Sequence, residues 1–400
     1  MRKLRILEVT HRFPPAVGGC EKVVYELSRE FASQGHDVTV LTSTSLKDTD
    51  TRGVSKGKGL RLSSEISGAT EEMRDGVKVF RFPPDYQFFT FAPNSQMRHF
   101  LRKNAEYYDI VHVHGYLSYE AYMVSKYCKS YVLTAHDIVS HNDGILFRLM
   151  KSAYDRLIGK RILKRASRLI ALTPANQEEY ESVSDCGGKI KVIPNGINAY
   201  GEVDKDEKRR ILESIGTPKK VILFIGRIVE YKGVADIVKA MPDIIERHPD
   251  SKAVFVGVDG GYTEELKRIA AHHGVRDNCV FTGGVESIEP YLNIADVFVF
   301  PSRGEGFGLS PVEAMSMRVP SLMTDIGGLK YVLSWIGGHR LDSSKDIPMQ
   351  ISKKVNRILD DPKAKDKMSG LAEKARSYRW PGIAEMTLKL FEEVLDEREK

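Results

Sequence analysis

Two carboxylates eight positions apart, Glu305 and Glu313, frame the segment ADVFVFPSRGEGFGLSPVEAM that runs from Ala295 to Met315. A carboxylate in a loop accepts hydrogen bonds from sugar hydroxyls, and its charge favours a developing cationic sugar carbon. Gly306 and Gly308 let the backbone approach a ligand without a Cβ clash. The helix expected to start near Ser310 turns its positive end toward the same place. Ser310-Pro311-Val312-Glu313 also fits a capping box, with Ser at N-cap, Pro at N1 and Glu at N3. Glu313 is therefore read two ways, as a helix cap or as a bidentate partner of two ribose hydroxyls. The segment suits a ligand with both hydroxyls and phosphates, such as a sugar nucleotide.

Other residues fit the same ligand. Arg227 and Lys232 lie in GRIVEYKG, after the apolar run VILFIG. Two cations in a strand-to-helix loop neutralise a diphosphate, and Arg offers a forked contact. Gly18-Gly19, in FPPAVGGCEK, marks a second helix start that can approach phosphate, although it lacks the Gly-x-Gly-x-x-Gly spacing of dinucleotide sites. His136 ends the run YVLTAH and can donate to a sugar hydroxyl. A lone His is more often structural, and His112 and His114 on a neighbouring run rank lower. Asp48-Thr49-Asp50 has the look of a metal-binding triplet but reads as a solvated loop. Cys20, Cys128, Cys186 and Cys279 are scattered, with no CxxC pair and no zinc spacing, so they read as reduced structural thiols. No metal site is expected.

These residues need a scaffold, and the chain alternates short Val/Ile-rich runs with amphipathic stretches. The first half has runs at Arg5–Thr10, Asp37–Thr42, Val77–Phe82, Asp109–His114, Tyr131–His136, Arg168–Thr173 and Lys189–Pro194. The second half has Val221–Gly226, Ala253–Val258, Cys279–Gly283, Asp296–Pro301 and Val319–Thr324. Continuous apolar runs read as strands buried on both faces, and helices between them imply parallel sheets. In EKVVYELSREFASQG, Val23, Val24, Leu27 and Phe31 form one apolar face, and Gly35 ends the helix. A polar break, PNGINAYGEVDKDEKRR, separates two halves of Rossmann-like size. Ser45–Gly76 reads as a mobile insertion. The last helix, Ile383–Glu397, follows Trp380–Pro381, which reads as a hinge.

Composition bounds the class. The chain has 400 residues, 42% hydrophobic and 28% charged, enough apolar material for two cores. No run of about 18 uncharged apolar residues predicts a membrane span. The opening MRKLRILEVTHRF reads as a strand too polar for a secretory signal, so a cytoplasmic protein is expected. A formal charge of +6 suits phosphate ligands or an anionic membrane face. It is too weak to argue for nucleic acid. The basic run Arg148–Arg168 reads as helix-like, either a solvated face or a peripheral contact with anionic lipid on the inner membrane face.

PPAVGG, TAHD, PNGIN, GRIVEYKG and EGFGLSPVEAM, in this order and spacing, resemble the family 4 retaining glycosyltransferases of the GT-B fold. The resemblance covers nearly the whole chain. It implies two Rossmann-like domains with parallel sheets facing across a cleft. The acceptor-side domain would be residues 1–197 and the donor-binding domain 198–380, with helix 383–397 packing back on the first. It further implies that Arg227 and Lys232 hold the donor diphosphate, and that Glu305 with the backbone of Phe307, Gly308 and Leu309 holds the transferred sugar. Glu313 would bind the ribose. The turn at Gly283–Glu286, with Val285, would receive the base. Gly19 would lie near the phosphates and His136 near the sugar. The chain departs from the family where Asn198 replaces a frequent Asp, and where Gly257-Val258-Asp259-Gly260 replaces a tighter Gly-Asp-Gly turn.

The expectation is therefore a hexosyltransferase using a nucleoside diphosphate sugar, with no cofactor and no metal. Its acceptor is expected to be a glycan, a lipid or a lipid-linked glycan; a soluble acceptor is the alternative. Rival readings are a GT-B-fold epimerase, a sugar phosphorylase and a non-catalytic sugar-nucleotide-binding subunit. The donor base, the sugar, the acceptor, the linkage and the oligomeric state are not legible in the sequence.

Overall fold

The computed structural model describes residues 2–44, 69–86, 93–136 and 145–399. Two compact units divide the chain. The first holds the described residues up to Gly196 together with the C-terminal helix from Trp380, and the second runs from Ile197 to Arg379.

The first unit is built on strands β1 (Arg5–Val9), β2 (Asp37–Ser43), β3 (Thr70–Arg74), β4 (Val77–Phe82), β5 (Ile110–His114), β6 (Val132–Thr134), β7 (Arg168–Ala171) and β8 (Ile190–Val192). They lie in the order β3-β4-β2-β1-β5-β6-β7-β8, and all pairs are parallel except β3 with β4. The second unit has β9 (Lys220–Ile225), β10 (Ser251–Val256), β11 (Cys279–Gly283), β12 (Val297–Phe300), β13 (Ser321–Thr324) and β14 (His339–Leu341). Its order is β11-β10-β9-β12-β13-β14, parallel throughout. The central strands are the Val/Ile-rich runs, apolar on both faces because helices cover both faces of a parallel sheet.

Each sheet reverses its winding once, between β1 and β5 in the first and between β9 and β12 in the second. In open α/β sheets, ligands bind beyond the carboxyl ends of the strands at such reversals. The loops after these four strands are where chemistry is expected.

Several sequence expectations change. Residues 45–68, with the Asp48–Asp50 triplet, lie outside the described residues, as do 87–92 of the aromatic segment PPDYQFFTFAPN. The end of the expected insertion is an edge strand. β3 turns into β4 through Asp75 and Gly76, at φ 50° and 80°. Two left-handed residues make the tight hairpin turn that Asp-Gly favours. The polar break contains a helix, Lys205–Ser214, whose Asp204 carboxylate accepts from the Glu207 amide at 2.7 Å. None of its residues is fully buried, so it carries no core pattern.

The basic run is helical without a break through Ile145–Tyr154, a widened turn Asp155–Gly159 and Lys160–Arg165, and Arg168 begins β7. The last helix spans Trp380–Glu399, with Trp380–Pro381 as its first turn, and the boundary between the two units falls just before it, at Arg379. Trp380 is buried, and a Cβ on Gly196 would lie 2.4 Å from its indole ring. Further along, Phe391 packs on Phe31 of the helix Gly19–Ser33, with ring centroids 5.8 Å apart.

Candidate active site

The reversal in the second sheet gathers the charged residues. The loop after β9 carries Arg227 and Lys232, and the loop after β12 carries Glu305. The two loops are bound to each other. The Arg303 amide donates to the Tyr231 carbonyl at 2.7 Å, and the Arg303 guanidinium donates to the Glu230 carbonyl and, at 2.9 Å, to Asp236. Gly233 sits at φ 69°, where a Cβ would lie 2.0 Å from the Pro301 carbonyl oxygen, so only glycine allows this approach. Held this way, Lys232 Nζ donates to Glu305 Oε1. The two side chains are 14% and 12% exposed. Water screens such a pair weakly, while Lys232 keeps two further protons and Glu305 a second oxygen.

Arg227 is exposed, and among the described residues its guanidinium has no hydrogen bond or ion pair, to Glu305 or to any other group. Its backbone is fixed. The Ile228 amide donates to the Val258 carbonyl and the Gly260 amide to the Ile228 carbonyl, both at 3.0 Å. Gly257 (φ 149°) lies so close that a Cβ would be 2.0 Å from the Gly226 carbonyl oxygen. The longer Gly257–Gly260 turn is thus knitted to the loop that carries Arg227. Asp259 in it accepts from the Gly261, Tyr262 and Thr263 amides at the start of the helix Thr263–His272.

The glycine turn differs from the capping-box expectation. The helix spans Leu309–Ser316, and Gly308, at φ 88°, precedes it. Ser310 is inside the first turn, and its hydroxyl donates to the Ile225 carbonyl at the end of β9, at 2.9 Å. Ser310 therefore ties the helix start to the sheet and does not cap it, and Glu313 is not at N3. The Gly308, Leu309 and Ser310 amides are the first of the helix and have no carbonyl one turn earlier to bond. Phe307 is buried, with its ring centroid 6.2 Å from that of Tyr378. The turn is backed by Gly328, whose amide donates to the Glu305 carbonyl at 2.8 Å. Glu313 is 2% exposed and accepts from the Tyr200 hydroxyl at 3.2 Å. Val285 is half-buried in the turn after β11, beside Gly284, which backs onto Val258.

The first unit carries the other two expected residues. Gly19 opens the helix Gly19–Ser33 at the end of the loop after β1, with no described atom within 4 Å of where its Cβ would be. His136 follows β6 and is half-buried. Its Nε2 lies 2.8 Å from His114 Nδ1. His114 Nε2 lies 2.5 Å from Glu8 Oε2, His112 Nδ1 lies 3.1 Å from Glu8 Oε1, and His112 Nε2 lies 2.7 Å from Thr134 Oγ1. Glu8, His112 and His114 are buried. Burial opposes the charge on Glu8, yet His112 and then His114 outweigh it and hold the carboxyl at about 2. Burial, and next the neighbouring His112, lower His114 to about 4. The same two influences, burial and then the imidazole neighbours, bring His136 well below the ordinary histidine value.

The halves of the chain match two family models. Residues 17–199 match the model described as Glycosyltransferase Family 4, and residues 204–376 match Glycosyl transferases group 1. The chain belongs to the glycosyltransferases. A relative from Methanocaldococcus jannaschii, an uncharacterized glycosyltransferase, is 27% identical over 98% of this chain and 99% of its own. A D-inositol 3-phosphate glycosyltransferase from Acidothermus cellulolyticus is 25% identical over 95% of this chain and 87% of its own. The solved structure of Anabaena HepE in complex with UDP-glucose superposes with a TM-score of 0.71, covering 96% of this chain and 98% of that one at 17% identity. That likeness gives this glycosyltransferase the GT-B fold.

The glycosyltransferase motifs place Lys232, Glu305 and the glycine turn together, and leave Arg227 out of direct contact with them. Sequence reasoning ranked His114 low and passed over Glu8 and Tyr200. His112 and His114, two apart on one strand, share a face, which is a readable signal. The register that sets Glu8 opposite His112 was not readable. None of the four cysteines is in a disulfide, as expected. Among the described residues no helix is long and apolar enough to cross a membrane.

Proposed function

We propose that this glycosyltransferase is a retaining hexosyltransferase that moves a hexose from a nucleoside diphosphate sugar to an acceptor hydroxyl. The observation that carries the reading is the shielded Lys232–Glu305 pair at the reversal of the second sheet, beside the first amides of the helix Leu309–Ser316. Departure of the nucleoside diphosphate is the hard step, because negative charge develops on its terminal phosphate. Lys232, the exposed Arg227 and the helix amides supply fixed positive charge there, which is the work a metal ion would otherwise do. As phosphate oxygens accept hydrogen bonds from the Lys232 ammonium, Glu305 is freed to accept from sugar hydroxyls. Glu313, with Tyr200, takes the ribose, and Val285 flanks the base. His136 meets a sugar hydroxyl and Gly19 the phosphates.

Retention follows if the acceptor attacks from the face that the phosphate leaves, with the departing phosphate oxygen taking the acceptor proton. No side chain is then needed as base. Anabaena HepE, solved with UDP-glucose, supports the donor class. A lipid or lipid-linked acceptor is favoured by the surface around Arg148, Arg156, Lys160 and Arg161, where Leu149 and Leu157 are 64% and 78% exposed. Basic residues beside exposed apolar ones suit an anionic membrane face.

The test is release of nucleoside diphosphate from UDP-, GDP- and ADP-hexoses with a lipid and a soluble acceptor, with the anomer of the product read by NMR. One donor should turn over with retention and without added metal, and Glu305→Ala should abolish transfer in a folded protein. An inverted product, or full turnover by that variant, would overturn the reading.

A further inference from the structure

We infer that Glu8 and His114 form a buried relay that fixes the tautomer of His136, so that His136 meets a carbohydrate hydroxyl as a hydrogen-bond acceptor through Nδ1. The inference rests on the proposed role of His136 beside a sugar; the relay itself rests on geometry alone.

Proton positions follow from one end of the chain of contacts to the other. A Glu8 carboxylate has no proton to give, so both imidazoles that touch it must donate. His114 therefore carries its proton on Nε2, 2.5 Å from Glu8 Oε2. A neutral His114 then has a bare Nδ1, which can only accept. The atom 2.8 Å away is His136 Nε2, so that nitrogen must carry a proton. A neutral His136 is left with its lone pair on Nδ1. The low pKa values of His114 and His136 agree with both rings being neutral. On the side branch, His112 donates through Nδ1 to Glu8, and its Nε2 lies 2.7 Å from the Thr134 hydroxyl.

The frame for the relay is rigid. Glu8 and His112 are register partners on β1 and β5, the two strands flanking the reversal of the first sheet. Phe391 of the C-terminal helix stands edge-on to His112, with centroids 5.3 Å apart. The His114 and His136 rings are tilted by only 23°, so the N–H and the lone pair lie near one plane. The same donor atoms of Glu8, His112 and His114 lie within 4.8 Å of one another, close enough to gather around a cation. Two ligands on one tetrahedral zinc stand about 3.4 Å apart, from metal–ligand distances of about 2.1 Å. The Glu8 contacts of 2.5 and 3.0 Å with the two rings are those of direct hydrogen bonds.

Glu8 and His114 are thus positioning residues. The full-length protein labelled with 15N in its imidazole rings gives the test at neutral pH. His136 is expected to be neutral with its proton on Nε2. Adding the nucleoside diphosphate sugar that raises the melting temperature, from UDP-glucose, GDP-mannose and ADP-glucose, should move its bare Nδ1 resonance upfield, as accepting a hydrogen bond does. Glu8→Gln should redistribute the His136 proton between its two nitrogens. His114→Leu should do so as well, because no acceptor remains for His136. Each variant should lose about tenfold in transfer rate, the value of one neutral hydrogen bond. A His136 protonated on Nδ1 in the wild type, a tautomer unchanged in both variants, no Nδ1 shift with any of the three sugars, or stoichiometric tightly bound zinc would overturn the inference. A merely structural role for Glu8 would lower stability and leave the His136 resonances in place. The tautomer is read without turnover, so a failed transfer assay would count against the proposed function and not against the relay.

Discussion

Gly328→Ala separates the position of the glycine turn from its chemistry, because the substitution touches no charged group. Gly328 is buried at the start of the helix Gly327–Trp335, and its φ is not in the left-handed region, so alanine is conformationally allowed there. Space is the obstacle. The added Cβ would lie 2.0 Å from the Gly306 carbonyl oxygen and 2.9 Å from the Phe307 amide nitrogen, against a working minimum of 3.0 Å. Both neighbours are backbone, so no side chain can swing away. The turn that carries Glu305 must shift by about 1 Å or more, and the 2.8 Å bond from the Gly328 amide to the Glu305 carbonyl must stretch with it. A shift of about 1 Å at a reacting group costs on the order of 100-fold in rate. Overpacking of this kind costs about 1–3 kcal/mol of stability, which leaves a folded protein. Steady-state transfer with the preferred donor, beside a thermal melt, reads both quantities. The expected result is a cooperative melt a few degrees lower and kcat/KM down about 100-fold. A folded Gly328→Ala protein within twofold of wild type would refute the claim that the Glu305 turn positions the sugar.

Other predictions concern separate links. Lys232→Met leaves the shielded Glu305 carboxylate without its cation; kcat/KM is expected to fall about 100- to 1000-fold, the value of one preorganised charge contact, with a melting temperature lowered by less than that loss implies. Arg227→Ala, at an exposed guanidinium with no partner among the described residues, should leave the melt unchanged while weakening nucleoside diphosphate binding in calorimetry. Acid should destabilise the first unit in a defined window. Burial first, and then His112, place His114 near 4 in the fold against 6.5 in the open chain, so the unfolded form binds a proton earlier and stability falls as pH drops from 6.5 toward 4. That gap is worth about 3 kcal/mol, and denaturant titrations showing no loss over this range would contradict it. Leu157→Ser together with Leu149→Ser should reduce sedimentation with anionic vesicles without changing activity on a soluble acceptor; unchanged, salt-insensitive sedimentation would remove the membrane contact.

The legibility of this chain follows its physics. Parallel central strands such as β9 and β12 must be apolar on both faces, and VILFI and VFVF announce that without help from context. Edge strands have no such obligation. TEEMR and HRL are polar because one side meets water, so β3 and β14 were invisible as strands. The helix Lys205–Ser214 hid for the same reason. At the site, the glycines and the charged residues were readable as types, since each is demanded by backbone approach or by charge. Their pairing was not. That Lys232 meets Glu305, that Ser310 bonds Ile225 and leaves the cap to Gly308, and that Glu8 lies opposite His112 all depend on loop approach and strand register. Those are set by the packed fold and by no local pattern.

The central claim is that Lys232, Arg227 and the glycine turn hold a nucleoside diphosphate. Isothermal titration of the wild type and of Lys232→Met with UDP, GDP and ADP, without metal, tests it most directly. The account predicts saturable binding of one of the three by the wild type, weakened at least tenfold in the variant. Equal affinity in both proteins, or no binding of any of the three by folded wild type, would contradict it.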